Sequence, residues 1–324
     1  MIPALPRRRA TALLAALGAP GLARAQEGQA PLRVIIPQPP GGATDILARL
    51  LTEPLGRDLG RSVIVENRPG ANGIVAISAL RQSRPDGNTV LLGGVSIFAF
   101  NPNLFPNLPY DPWRDFSWIA PIADTPFVIV ASRASGITTL PQLIERARAQ
   151  PERLTFGSAG IGNSTHLGME MVAERAGIRL THAPFPGSAP ALNALMAGDI
   201  DAMFNPLGNT LPAIESGRAV PLVTLGRERS PALPQVPTLI EMGLPPVTMP
   251  GWYAFVGPAG LDPAVVERLN AATRRVVDSP AVTQKLRESV LEPLAATAQE
   301  IQDRARRESA EIGEFIRRRG IRVE

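Results

Sequence analysis

Between residues 30 and 100 the chain alternates short apolar runs with longer stretches whose apolar residues recur every three or four positions. The runs "LRVIIP", "SVIVE" and "NTVLLGG" have the length and β-branched content of strands. Helical spacing fills the intervals, from Thr44 towards Gly56 and from Asn72 to about Gln82. That rhythm predicts a parallel α/β sheet. A proline-rich stretch, Asn101 to Trp118, then predicts an irregular surface segment anchored by Phe105, Trp113 and Trp118.

A second series of the same kind begins at "FVIVAS" and continues through "LTFGS", "LTHAPF", "DAMFN" and "AVPLVTLG". Helices are expected between these runs near Leu140–Ala149, Ser164–Ala176 and Ala189–Ala197. After another proline-rich stretch, "YAFVGP" precedes a helical remainder from Pro263. Two series predict two sheets, with the chain crossing between them near Phe127 and again near Tyr253. The expected organisation is one domain from residues 26–126 and 251–324, a second from 127–250, and a cleft between them.

Composition changes this picture at the N-terminus. Residues 1–25 carry an arginine cluster, a short apolar run and a small-x-small ending at Ala23 and Ala25, the pattern of an export signal. Arg7 to Arg9 leave both the general and the twin-arginine routes open. Four of the 33 basic residues lie in that segment (Arg7, Arg8, Arg9 and Arg24), so the remaining 29 balance the 29 acids. With no net charge after the signal and no basic stripe, a nucleic-acid partner gains no support. The absence of cysteine excludes disulfides and thiolate metal sites.

The candidate chemistry lies at two strand-to-helix junctions. In "PQPPGGATD", Gly41 and Gly42 permit close backbone approach, and Thr44 or Asp45 is placed to cap the following helix. Such a junction either holds an anion on bare N–H groups or is a plain tight turn. In "FGSAGIGNST", Gly157, Gly162, Asn163 and Ser164 have phosphate-loop spacing, but asparagine stands where that loop needs lysine. Nucleotide hydrolysis is therefore not expected, and the loop suits a smaller anion.

The segments "PQPPGGATDILARLL", "VENRPGANGIVA", "GSAGIGNSTHL", "APFPGSAPALNALMAGDIDAMF" and "VPTLIEMG" occur in an order and spacing that resembles the Bug family, the extracytoplasmic binding proteins of tripartite tricarboxylate transporters. The resemblance runs from about Leu32 to the C-terminus. It implies an α/β, type II periplasmic-binding-protein fold, two lobes with a ligand cleft and two crossover strands. It also implies a non-enzymatic periplasmic receptor that closes on a small organic carboxylate, needs no cofactor or metal, acts as a monomer and delivers to membrane permease subunits. A carboxylate sensor serving a signalling partner is the alternative, with a cleft enzyme behind it. Position by position, Gly41, Gly42, Ala43 and Thr44 would face the ligand with Asp45 capping. Ser158, Ala159, Asn163, Ser164 and Thr165 would face it from the second lobe, with Ser96 as a further hydroxyl. Phe185 and Gly187 lie on a loop that approaches the cleft in such proteins, where simple turn chemistry is the other explanation. Asn163 stands where the family more often has serine or threonine, and Asn205 where aspartate is frequent, a change that would alter the ligand's distal group.

Other residues carry less. His166 near a helix start reads as a structural hydrogen-bonder, and His182 on a strand has no neighbouring acid or cysteine for a zinc site. Asp199 and Asp201 read as a turn rather than an acid/base pair, and no GxSxG elbow is present. The arginine-rich C-terminal segment predicts a helix whose packed side is Ile301, Ile312, Phe315 and Ile316.

Overall fold

A computed structural model describes residues 30–247 and 249–323. The expected export signal at residues 1–25 lies outside them. The first series forms β1 (Leu32–Ile36), α1 (Ala43–Leu59), β2 (Val63–Asn67), α2 (Ile74–Arg81), β3 (Thr89–Gly94), α3 (Asn101–Leu104) and β4 (Phe116–Asp124). The second forms β5 (Phe127–Ser132), α4 (Leu140–Ala149), β6 (Thr155–Ser158), α5 (Ser164–Ala176), β7 (Thr181–Pro184), α6 (Ser188–Ala197), β8 (Ala202–Pro206), α7 (Leu207–Glu215) and β9 (Ala219–Thr224). The chain finishes with β10 (Trp252–Pro258), α8 (Pro263–Val277), α9 (Pro280–Glu288), β11 (Glu292–Pro293) and α10 (Ala298–Arg319).

These strands make two sheets, ordered β11-β4-β10-β3-β1-β2 and β7-β6-β8-β5-β9. Within each, the βα repeats pair in parallel: β1 with β2 and β3, and β6 with β7 and β8. The strands at the crossings run antiparallel, β10 against β3 and β4, and β5 against β8 and β9. Only Thr125 and Pro126 separate β4 in the first sheet from β5 in the second. Thr125 N–H donates to the Gly251 carbonyl at 2.6 Å, so the outgoing and returning crossings touch. A Cβ at Gly251 would lie 2.6 Å from the Thr125 carbonyl oxygen and 2.5 Å from the Phe127 ring. Only glycine admits that approach.

Two local expectations differ from the structure. The segment expected to be irregular from Asn101 to Trp118 starts as the short α3 and gives up its last three residues, Phe116–Trp118, to β4, where Trp118 is 8% exposed. The proline at 121 hid this strand. It is tolerated because the pairing with β10 shifts register between Tyr253 and Ala254, leaving a bulge beside Pro121. The short α7, with Pro212 inside it, was likewise not signalled by periodicity. The C-terminal helix follows its pattern: a Thr297/Glu300 capping box starts α10, Gly320 in the left-handed region ends it, and Ile301, Ile312, Phe315 and Ile316 are buried. Its last turn reaches the second lobe, where Arg318 and Arg319 pair with Glu174 and Glu170 of α5.

Candidate functional site

Between the sheets lies a cavity of about 490 Å³. No charged side chain is among the residues lining it. Apolar walls come from Val95, Ile97, Phe127, Phe185, Trp252 and Tyr253.

The β1–α1 junction enters the cavity through Ala43 and Thr44. Gly41 takes a positive φ of 83° and Gly42 becomes the extended N-cap, with no side-chain cap. Neither glycine lines the cavity. Asp45 does not cap the helix as expected. Its carboxylate, 4% exposed, accepts the Gly41 N–H at 3.0 Å, the Arg49 guanidinium at 3.0 Å and Asn67 Nδ2 at 3.1 Å. Burial alone would raise its pKa, but the bonds from Arg49, Gly41 and Asn67 outweigh it and hold the group below the usual carboxylate range. Asp45 therefore fixes the turn while lying outside the cavity wall. Among the described residues the N–H groups of Ala43 and Asp45 have no protein acceptor, and that of Thr44 has only a long 3.4 Å bond to Gln38 Oε1.

Opposite, Gly187 and Ser188 start α6 and line the same cavity. Gly187, at φ 135°, allows its loop to meet the β1–α1 loop: a Cβ there would stand 2.8 Å from Pro39. The N–H groups of Ser188 and Ala189 also lack protein acceptors among the described residues. Two helix N-termini, one from each α/β series, thus bring unpaired donors to the cavity wall at Ala43 and Ser188.

The β6–α5 junction is different. Ala159, Asn163, Ser164 and Thr165 line the cavity as expected, and Ser96 joins them from the first lobe. Their backbone donors, however, are consumed internally. Ala159 N–H goes to Thr165 Oγ1 (2.8 Å), Gly160 to Ser158 Oγ (3.2 Å), Gly162 to His166 Nδ1 (3.0 Å), Ser164 to Ser96 Oγ (3.2 Å) and Thr165 to Asn163 Oδ1 (3.1 Å). Asn163, His166 and Leu167 donate to the carbonyls of Gly160 and Asn163. This loop was expected to be an open cradle of donors. Most of its donors are instead taken up within the protein, because Thr165, His166, Asn163 and Ser158 each fold an acceptor back onto it and Ser96 supplies one from the first series, while the Ile161 N–H has no acceptor among the described residues.

Five expected site residues fall outside the cavity lining: Gly41, Gly42, Asp45, Ser158 and Asn205. Ser158 is fully buried with its Oγ 2.6 Å from His182 Nε2. Asn205 is fully buried on β8 and donates to Thr210 Oγ1 at 2.9 Å, leaving its own Oδ1 unpartnered. The other nine line it. The sequence reading missed Asn72, Asn101, Trp252 and Tyr253, which also do. Asn72 donates across the cleft to the Ile161 carbonyl at 2.7 Å. Its signal was available in "RPGANG", a third junction with the same strand, glycine and helix grammar.

His166 is a hydrogen-bonder as expected, but it is not alone. Its ring lies parallel to that of His182, centroids 3.8 Å apart, with Phe156 4.8 Å beyond His182. Burial pushes His166 down to about 3, helped by its neighbour, and burial alone pushes His182 down to about 4. Both rings are neutral in the folded protein, so Nδ1 of His166 can accept from Gly162. An unfolded chain binds these protons near pH 6.5. Stability should thus be full above that value and fall as the pH drops towards about 4, by roughly 1.4 kcal/mol per pH unit for each histidine. Urea unfolding at pH 7, 6 and 5 measures this. A His182→Gln variant should lose part of the slope, and an unchanged slope would assign it elsewhere.

A profile of the family described as tripartite tricarboxylate transporter family receptor matches residues 47–321. A UPF0065 protein of Bordetella pertussis is 36% identical over 291 residues, covering 88% of this chain and 89% of its own. The Rhodopseudomonas palustris protein Rpa4515, solved with adipate, superimposes with a TM-score of 0.87 at 30% identity, covering 91% of this chain and 98% of that one. MatC of the same organism, solved with bound malate, gives 0.84 at 27% identity, with 89% and 99% covered. The two-lobed architecture is the one these proteins share.

Proposed function

The chain belongs to the family of tripartite tricarboxylate transporter receptors, and on that premise we propose that it captures a small organic carboxylate outside the cytoplasm and presents it, by hinge closure, to the permease subunits of such a transporter. The family is one of solute-binding receptors rather than enzymes. The observation that carries the proposal is the pair of unsatisfied helix N-termini, α1 and α6, opening from opposite lobes into a cavity without charged walls. A carboxylate placed between them completes both helices at once, since each N–H gains a charge-assisted bond out of water. The adipate and malate bound to Rpa4515 and MatC support a carboxylate ligand.

Binding then couples to closure, because the donors lie on different lobes. Residues 26–126 with 251–324, and 127–250, are the two moving bodies in this proposal, hinged where Thr125 and Gly251 meet. Closure is supported by polar contacts across the cleft, Ser96 Oγ to Ser164 Oγ at 3.0 Å and Asn72 to Ile161. Such a ligand-dependent shape is what a membrane partner can recognise.

The test is thermal unfolding of protein refolded free of co-purified ligand, against di- and tricarboxylates, aromatic acids, amino acids, sugars and nucleotides. A ligand at about 100 times its dissociation constant adds roughly 2.7 kcal/mol, and the shift should be confined to carboxylates. A response to sugars or nucleotides with none to acids would sink the proposal.

A further inference from the structure

We infer that Asn72 is the latch of the closed cleft: its side-chain amide, carried on a strained turn of the first series, fastens to the Ile161 carbonyl at the tip of the β6–α5 loop in the second. It sets how long a ligand stays bound rather than which ligand is chosen. The inference rests on the hinge closure proposed above and names the residue that holds it.

Four successive residues of the turn have positive φ: Gly70 at 129°, Ala71 at 44°, Asn72 at 50° and Gly73 at 89°. The two glycines adopt such angles freely, but at Ala71 and Asn72 a Cβ makes the conformation costly. Strain of this kind persists where surrounding contacts hold it. Here the Gly73 N–H closes the turn onto the Gly70 carbonyl at 2.9 Å. Asn101, buried and bonded to the Tyr110 hydroxyl, donates through Nδ2 to the Asn72 carbonyl at 3.0 Å. The backbone of Asn72 is thus fixed from the protein's interior while its side chain reaches across the cleft. Its Nδ2 meets the Ile161 carbonyl, 89 residues away in the chain, at 2.7 Å. That carbonyl has no other donor among the described residues.

The β6–α5 loop has the shape to receive it. From Ala159 to Leu167 its N–H groups, apart from that of Ile161, are bonded within the protein. The loop also lies close against the first series: Ser96 Oγ accepts the Ser164 N–H at 3.2 Å, a Cβ on Gly162 would stand 2.2 Å from the Leu104 side chain, and one on Gly160 would stand 3.3 Å from Asn72 Oδ1. Internal bonding gives the loop a fixed form, and a fixed form lets one bond at its tip hold the cleft shut. When the cleft opens, water replaces that bond. Its net worth therefore shifts the closed-to-open ratio by one factor for every ligand alike.

The chain has no cysteine, so Arg84→Cys and Arg153→Cys, one exposed position on each series, accept spin labels at those two sites alone. Pulsed electron paramagnetic resonance distances then give the closed fraction, without ligand and with adipate, malate or benzoate. Stopped-flow tryptophan fluorescence, reported by Trp252 in the cavity wall, gives association and release rates. Asn72→Gly removes the amide but keeps the carbonyl, every N–H and a residue suited to the left-handed turn. Ala71→Gly adds comparable backbone freedom with the amide in place. Asn72→Gly should speed release about three- to tenfold, by the same factor for each acid that binds, and lower the closed-to-open ratio equally. Association should stay within about twofold, and Ala71→Gly should change neither release nor closure by more than about twofold. Unchanged release in Asn72→Gly, or an equal effect of Ala71→Gly, overturns the latch and leaves hinge closure standing. A factor that differs from acid to acid overturns it too, making Asn72 a ligand contact. If none of the three acids binds, a lower ligand-free closed fraction in Asn72→Gly supports the latch and an unchanged one overturns it. A distance distribution that binding of an acid leaves unmoved, in parent and variant alike, overturns the latch and hinge closure together.

Discussion

A Gly42→Leu variant should fold with an unfolding midpoint within a few degrees of the parent and lose at least about a hundredfold in carboxylate affinity, roughly 2.7 kcal/mol. The backbone at Gly42, φ −76° and ψ 166°, is open to any residue, so the substitution adds no backbone strain. Its Cβ would stand 2.7 Å from Gln38 Oε1 and 3.4 Å from the Pro39 carbonyl oxygen. Gln38 is the end of a flexible side chain and moves aside at little cost to the fold. It is also the acceptor for Thr44 N–H and part of the cavity wall. A leucine there pushes into the first turn of α1, where Ala43 and Asp45 hold their free N–H groups. Calorimetric titration with the best carboxylate checks the result, and an unchanged affinity would remove α1 from the site.

The second large effect is on stability. Trp252→Ala should cost about 3–5 kcal/mol, read as a lower urea midpoint at an unchanged slope. Trp252 opens β10 with no exposed surface, stacks on Phe98 at 5.9 Å and packs against Trp118 at 6.1 Å. Its indole N–H donates to Glu308 Oε2 at 2.6 Å, and Glu308 is held in turn by Arg304, which also binds Asp124. Alanine leaves a cavity and deprives a largely buried carboxylate of its donor, and burial already raises the pKa of Glu308. Trp252→Phe separates the two contributions. It keeps most of the ring packing and should recover more than half of the loss. A loss below about 1 kcal/mol for the alanine variant would show that this ring is not a principal part of the core.

The alternation of apolar runs with helical spacing determined the two α/β series, their order and the two crossings, because both periodicities follow from local geometry and burial on one face. It also marked the junctions at Gly41–Thr44 and Ser158–Thr165, since glycines between a strand and a helix have a local conformational reason. What the sequence did not contain was the assignment of hydrogen bonds. Whether the N–H groups of the β6–α5 loop stay free depends on Ser96, 68 residues away, and on His166 and Thr165 folding back onto the loop. The pairing of His166 with His182 and the convergence of α6 on α1 likewise arise between segments distant in the chain. Bulged β4 stayed hidden because its tolerance of Pro121 is a property of the partner strand β10, not of its own residues. Local pattern fixes which elements form, while the satisfaction of each buried donor and acceptor is decided only when those elements meet.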